Sequence, residues 1–231
     1  MVGRKRDEGN GPWKSVFIAT PTTTHSALVA EFLERRIPIF CEKPFVTNVS
    51  DARLLQRLWE EAGKPKFLVD HQMLFDPRLD ALPAPEHALV VAEGRGPVRP
   101  ECSGIWDWGS HAVAEAMWIA RSTDFELREC LWLWDPPHSN ALTVDCSAMV
   151  GSTLTHLRFG NYSLQKLHAG RIENTVFYDA ASCDQPPLTT AIKAFLDPTA
   201  FLTDRRFGMA LPVAVTEFLV QVEAFIAQHI S

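Results

Sequence analysis

The chain has 231 residues, 46% of them apolar and 22% charged, with 12 glycines and a net charge of −6. This suits one large globular domain or two small ones and excludes a disordered chain. The basic residues are scattered, densest at Arg4–Arg6 and offset by Asp7 and Glu8, so no nucleic-acid partner is expected. Uncharged apolar runs such as Val16–Ala19 and Leu131–Trp134 fall short of the roughly 20 residues of a membrane helix. Met1–Trp13 has no apolar block behind its basic start, as a secretion signal would, so no membrane partner is expected. The cysteines, Cys41, Cys102, Cys130, Cys146 and Cys183, are far apart and lack C-x-x-C spacing. Free thiols in a cytoplasmic protein are the expectation.

Residues 1–14 read as a tail. Ser15–Ala19, closed by Thr20-Pro21, has the length and branched content of a strand buried on both faces. Thr24–Arg36 then places Leu28, Val29, Phe32 and Leu33 on one helical face. Ile37–Cys41 reads as a second strand. Ser50 is the expected N-cap of a second helix carrying Leu54, Leu55, Leu58 and Trp59 and ending at Gly63. Lys66–Asp70 supplies a third strand. Strand, helix, strand, helix, strand with short connections predicts a parallel sheet with right-handed crossovers, so residues 15–75 form part of a doubly wound nucleotide-binding domain.

From Phe75 to Pro100 the chain is proline-rich, with Ala88–Ala92 its main apolar run, which marks a boundary. In the remainder, 76–231, Trp106–Arg121 reads as a helix, followed by strands at Phe125–Trp134, Leu142–Val150 and Arg171–Ala180. Consecutive strands imply a largely antiparallel sheet in an α+β domain. Pro212 opens a final helix with Val215, Leu219, Val222 and Ile226 as its apolar stripe. On Phe125–Trp134, alternation puts Phe125, Leu127, Leu131 and Leu133 on one face. Cys130, Trp132 and Trp134 fall on the other, and that face is expected to be covered by a second copy of the chain.

Two constellations bear chemistry. Glu42-Lys43-Pro44 follows the second strand at the carboxyl edge of the parallel sheet, where open α/β sheets bind ligands. An ammonium there polarises a carbonyl or holds an alkoxide, although alone the tripeptide reads better as a surface ion pair before a turn. Asp107 and His111 lie at i and i+4 on one helix face, suited to proton transfer, with Gly109 between them to allow a close approach. Alone, that pair is a helix contact. The tryptophans between Trp106 and Trp134 suit sugar stacking, but such spacing is more common in cores. Asp107 and His111 with His71 as metal ligands would give a metal-dependent hydrolase, but no H-E-x-x-H motif accompanies them, and no metal is expected.

Taken together, Val16–His25, Glu42-Lys43-Pro44, Val69–Phe75 and Trp106–His111, in this order, resemble the Gfo/Idh/MocA family of NAD(P)-dependent oxidoreductases, as do Pro187–Phe195 and Arg206–Leu211. The resemblance implies NAD or NADP as cofactor and a sugar-like or cyclitol substrate. It implies that Thr20, Pro21, His25, Glu42, Pro44 and Gln72 lie at the cofactor. Lys43 would stand between cofactor and substrate, Asp107 would bind a substrate hydroxyl, and His111 would be the general acid/base.

Two departures accompany it. Fourteen residues precede Ser15, without the family's first strand and G-x-G-x-x-G turn, and Gly9-Asn10-Gly11-Pro12 follows no strand. Ala112 stands where an aspartate often follows the histidine. A cofactor-free relative serving as a binding or partner subunit is therefore the alternative to an enzyme.

Overall fold

The computed structural model describes residues 13–95, 102–134, 142–172, 175–179 and 186–229. Its first layer is a parallel sheet in the order β1 (Val16–Ile18), β2 (Ile39–Cys41), β3 (Phe67–Val69). Every residue of β2 and β3 is buried, because helices cover the sheet and continuous apolar triplets leave no polar side chain to bury. The helix α1 (His25–Glu34) buries Val29, Phe32 and Leu33, and α2 (Val49–Glu61) buries Ala52 and Leu55. The N-cap of α2 is Asn48, not Ser50: the Asn48 side chain accepts from the Asp51 N–H at 2.8 Å, and Ser50 Oγ donates back to it at 2.6 Å. Gly63, at φ +84°, closes the helix in a backbone region open to glycine.

The short α3 (Pro77–Asp80) leads into β4 (His87–Arg95). With β5 (Phe125–Trp134), β6 (Leu142–Val150), β7 (Thr153–Gly160), β8 (Tyr162–Ile172) and β9 (Thr175–Asp179) it forms a mixed sheet ordered β5-β6-β7-β4-β8-β9. All neighbours are antiparallel except β4 and β7. The expected strand Arg171–Ala180 is the end of one strand and the whole of the next, and Ala180 lies outside the described residues. Sequence reading had no strand at β7. Its Thr153, Thr155, Leu157 and Phe159 alternate inward in a plain period of two.

The faces of β5 also differ from expectation. A bulge between Leu127 and Glu129 shifts the register, so Phe125 and Leu127 pack inward before it, and Cys130 and Trp132 after it. Leu131 and Leu133 then face outward at 71% and 55% exposure. One inserted residue inverts the alternation.

On the inner face of this sheet lies α4 (Gly104–Ile119), nearly all of it buried, beside α6 (Ala210–His229). Among the described residues α6 is the helix long and apolar enough to cross a membrane, but its apolar positions are used in packing. Val213 joins the core of the parallel sheet, while Phe218, Leu219, Val222 and Ile226 join the core of the larger one. The helix α5 (Pro187–Leu196) adds Ala191 and Phe195 to the latter.

Candidate active site

The carboxyl ends of β1 and β2 open into a cleft of about 320 Å³, lined by Ala19–Thr22, Glu42–Pro44 and Cys102. Its walls are tied together from behind by His25, which is fully buried at the start of α1. His25 Nδ1 meets the carbonyls of Pro44 and Phe45 at 3.0 and 3.1 Å, and Nε2 meets the Thr20 carbonyl at 2.9 Å. With both ring nitrogens on backbone and no exposed surface, His25 braces the cleft from behind its lining residues. Thr20, Pro21, Glu42 and Pro44 do line it. Gln72 is half-buried, one residue beyond His71 at the start of a single 3-10 turn over Gln72–Phe75.

At Lys43, on the wall of the cleft, residues 64 positions apart meet. Lys43 Nζ donates to Asp107 Oδ1 at 2.5 Å and to the Asp107 backbone carbonyl at 2.9 Å. Both side chains are less than one-fifth exposed. An ammonium has three N–H groups. Two are thus used on Asp107. One helical turn on, His111 is 8% exposed with its Nδ1 unpartnered. Its ring lies 6.4 Å from that of His71 and 5.6 Å from that of His168. Burial, reinforced by Lys43 and the neighbouring imidazoles, holds the His111 pKa well below the ordinary histidine value. His111 is therefore a neutral base at neutral pH. Gly109 serves packing: a Cβ there would come within 2.8 Å of Phe159 and Leu219 side-chain atoms, so the close approach is made by the core, not by a ligand. Trp106 and Trp118 are likewise core residues.

Sequence reading passed over Asp70, which directly follows β3 and lies close enough to Glu42 and Lys43 to feel their charges. Its backbone N–H donates to the Cys41 carbonyl at 2.8 Å, and its Oδ1 is buried without a partner. Burial, with repulsion from Glu42 and against the pull of Lys43, pushes its pKa up to about 7. The unfolded carboxyl titrates near 3.8. Between those values the folded chain holds a proton that the unfolded chain has released, so stability is full at the acid end and declines as pH rises toward 7. The slope is at most about 1.4 kcal/mol per pH unit. Denaturant midpoints at pH 4.5 and 7.5 are expected to differ more in the parent than in Asp70→Asn, and equal differences would refute the assignment.

The cleft fits the nicotinamide end of a dinucleotide: it lies at the carboxyl edge, has a polar rim, and is of the size that holds small ligands. It does not supply the phosphate end. A pyrophosphate needs backbone N–H groups at a glycine-rich turn leading into a helix. Among the described residues β1 is the edge of its sheet, with no such turn beside it. Gly9–Pro12 lies outside the described residues. Nor do three His, Cys, Asp or Glu side chains among the described residues converge as a metal-ligand set.

A family model described as "Oxidoreductase family, NAD-binding Rossmann fold" matches residues 10–71. An inositol 2-dehydrogenase from Mycolicibacterium gilvum is 36% identical over 62 residues, which are 27% of this chain and 18% of that protein. A D-apiose dehydrogenase from Rhizobium rhizogenes is 38% identical over 56 residues, 24% of this chain and 16% of the other. The matched stretch is thus less than a fifth of either relative's length. In structure, the UDP-N-acetylglucosamine 3-dehydrogenase of Acidithiobacillus ferrooxidans superposes with a TM-score of 0.72 at 15% identity, over 91% of this chain and 78% of that one. A 3-ketoreductase from Actinomadura kijaniata, solved with TDP-benzene and NADP, gives 0.69 at 13% identity over 94% and 77%. At those identities the structural likeness establishes a shared fold, which spans both sheets.

Proposed function

We propose, from the premise that this chain matches the Gfo/Idh/MocA oxidoreductase family in sequence and fold with a partial Rossmann sheet, that it moves hydride between NAD(P) and a secondary alcohol or ketone of a sugar-like or cyclitol substrate. The observation that carries this reading is the Lys43–Asp107 pair at the carboxyl edge of the parallel sheet, one helical turn from a neutral imidazole. When bound, the nicotinamide takes or delivers the hydride. Thr20, Pro21, Glu42 and Pro44 hold its reactive end in the cleft, and His25 keeps the two walls in register. Lys43 directs its remaining N–H at the substrate oxygen and stabilises the negative charge that grows there. Asp107 fixes that ammonium and, with its remaining acceptor capacity, accepts a neighbouring substrate hydroxyl. In the oxidative direction the carbon gives up its hydride and the hydroxyl its proton, which passes to His111; in reduction both steps reverse. Exchanging Lys43 for methionine tests this assignment.

The edge position of β1, with no glycine-rich turn beside it among the described residues, favours a second reading, a cofactor-free relative that binds a sugar or a partner protein. A nucleotide titration separates the two.

The outward Leu131 and Leu133 on the edge strand β5 support self-association through the larger sheet, since exposed apolar side chains at a sheet edge gain by burial. Sedimentation is expected to show a dimer or larger species at micromolar concentration, shifted toward monomer by Leu131→Glu with Leu133→Glu. A strict monomer in the parent chain would refute it. The buried free thiols of Cys41, Cys102, Cys130 and Cys146 suit a reducing, cytoplasmic setting.

A further inference from the structure

The strand β5 lies at the edge of the larger sheet and pairs with β6 alone. On it, Cys130 stands directly opposite Cys146 of β6. Both side chains belong to the core, each is 3% exposed, and both are free thiols. The bulge between Leu127 and Glu129 brings them together: with unbroken alternation from the inward Leu127, Cys130 would point outward. The backbone pattern then fixes what kind of pair they form. The Asn161 N–H donates to the Leu142 carbonyl at 3.0 Å, so even-numbered residues of β6 turn their backbone groups toward β7, and the Gly151 N–H donates to the Asp124 carbonyl at 2.8 Å, so odd-numbered ones face β5. Cys146 is four residues on from Leu142, with no shift of register between β6 and β7. It therefore makes a non-hydrogen-bonded pair with Cys130, the class in which opposite side chains come closest. Such residues lie about 4.5 Å apart at Cα, at the near end of the range that a disulfide spans. Packing alone does not call for two sulfurs, since alanine, as Ala148, fills the next inward position of β6.

We propose that Cys130 and Cys146 are a reversible dithiol–disulfide site, oxidised by a small peroxide, whose closure ties the edge strand β5 to the sheet. Local opening of β5, held on one side only, admits the oxidant. Cys130 attacks first: the Cys146 thiol donates to its sulfur, which lowers the Cys130 pKa and raises that of Cys146. The Cys130 sulfur bonds to one peroxide oxygen, the O–O bond breaks, and the other oxygen leaves with the thiol proton as water. The Cys146 sulfur then displaces the hydroxyl of the resulting sulfenic acid. The S–S bond forms, the S–O bond breaks, and the hydroxyl leaves with the Cys146 proton as a second water. Two thiols have lost two electrons and two protons, and the peroxide has become two waters. An external dithiol reverses the step by exchange. The bond closes residues 130–146 into a loop and fastens the strand that carries Leu131 and Leu133 on its outer side. Nothing in this depends on the reaction at the cleft.

The folded chain is treated with hydrogen peroxide, quenched, alkylated and digested with a protease that cuts before aspartate, which separates the two cysteines at Asp135 and Asp145. A disulfide between the Cys130 and Cys146 peptides is expected to exceed every other cysteine pairing by about tenfold or more, because the second thiol is held opposite the first. It is expected to disappear with dithiothreitol, and the preference to vanish when the chain is oxidised in denaturant. In Cys146→Ala, which lacks the second thiol, Cys130 is expected to remain as a sulfenic acid that dimedone captures. Amide exchange along Leu131–Trp134 is expected to slow by about tenfold or more on oxidation and to recover on reduction. If Cys146→Ala does not fold, the linkage map and the exchange of the parent chain carry the test. The proposal is overturned by a folded parent in which Cys130 and Cys146 link no more than other pairs, by a preference that persists in denaturant, by an unmodified Cys130 in folded Cys146→Ala, or by a disulfide that leaves the exchange of β5 unchanged.

Discussion

Lys43→Met is expected to lower kcat by about a hundred- to a thousandfold, the usual loss when a preorganised charge at a reacting oxygen is removed. The substitution keeps the length of the side chain and deletes the group that meets Asp107 and that, on the proposed reading, meets the substrate oxygen through its third N–H. KM for the alcohol changes far less, because the ammonium is worth most when the oxygen bears a full negative charge. Asp107, less than one-fifth exposed, loses its pairing with Lys43. A fall in stability of about 2 kcal/mol is therefore expected alongside, and a melting curve must show that the variant remains folded at the assay temperature. The kinetics are run at millimolar nucleotide. Rates within a fewfold of the parent, in a folded variant, would remove Lys43 from the chemistry.

The parallel layer was legible because its signals are local. Each of its strands is a short apolar run bounded by turns, and two amphipathic helices separate them. Glu42-Lys43-Pro44 and Asp107–His111 were legible as motifs, but only the fold brings Lys43 onto Asp107 across 64 positions. Three features were less so, each for a physical reason. The bulge after Leu127 reverses which side of β5 is inside, and no residue in Phe125–Trp134 marks it: neither glycine nor proline occurs there. The strand β7 carried a usable signal, Thr153, Thr155, Leu157 and Phe159 alternating between two glycines, yet its polar members Thr and His masked the pattern. Asp70 gave no sequence signal, because its significance comes from burial and from Glu42 and Lys43 on another part of the chain. His25 was placed in the right part of the fold. Its role became plain only once its ring nitrogens were seen to meet the carbonyls of Thr20, Pro44 and Phe45.

The chain of 231 residues is expected to bind reduced nicotinamide nucleotides weakly, at roughly 100 µM or above. A nicotinamide cofactor held by a complete Rossmann domain gains several charge-assisted hydrogen bonds from a glycine-rich turn and from a helix N-terminus. Each is worth about 1.5–3 kcal/mol, so losing two of them costs about two to four decades of affinity. Among the described residues none of these donors stands beside β1, whereas the cleft at Thr20–Thr22 and Glu42–Pro44 remains to receive the nicotinamide and its ribose. The adenosine half should therefore add little. The direct measurement is a calorimetric titration of the chain with NADPH and, in parallel, with reduced nicotinamide mononucleotide. A chemistry-bearing site without a phosphate grip predicts weak binding of both, with affinities within about threefold of each other. A dissociation constant for NADPH in the low micromolar range, far below that of the mononucleotide, would contradict it.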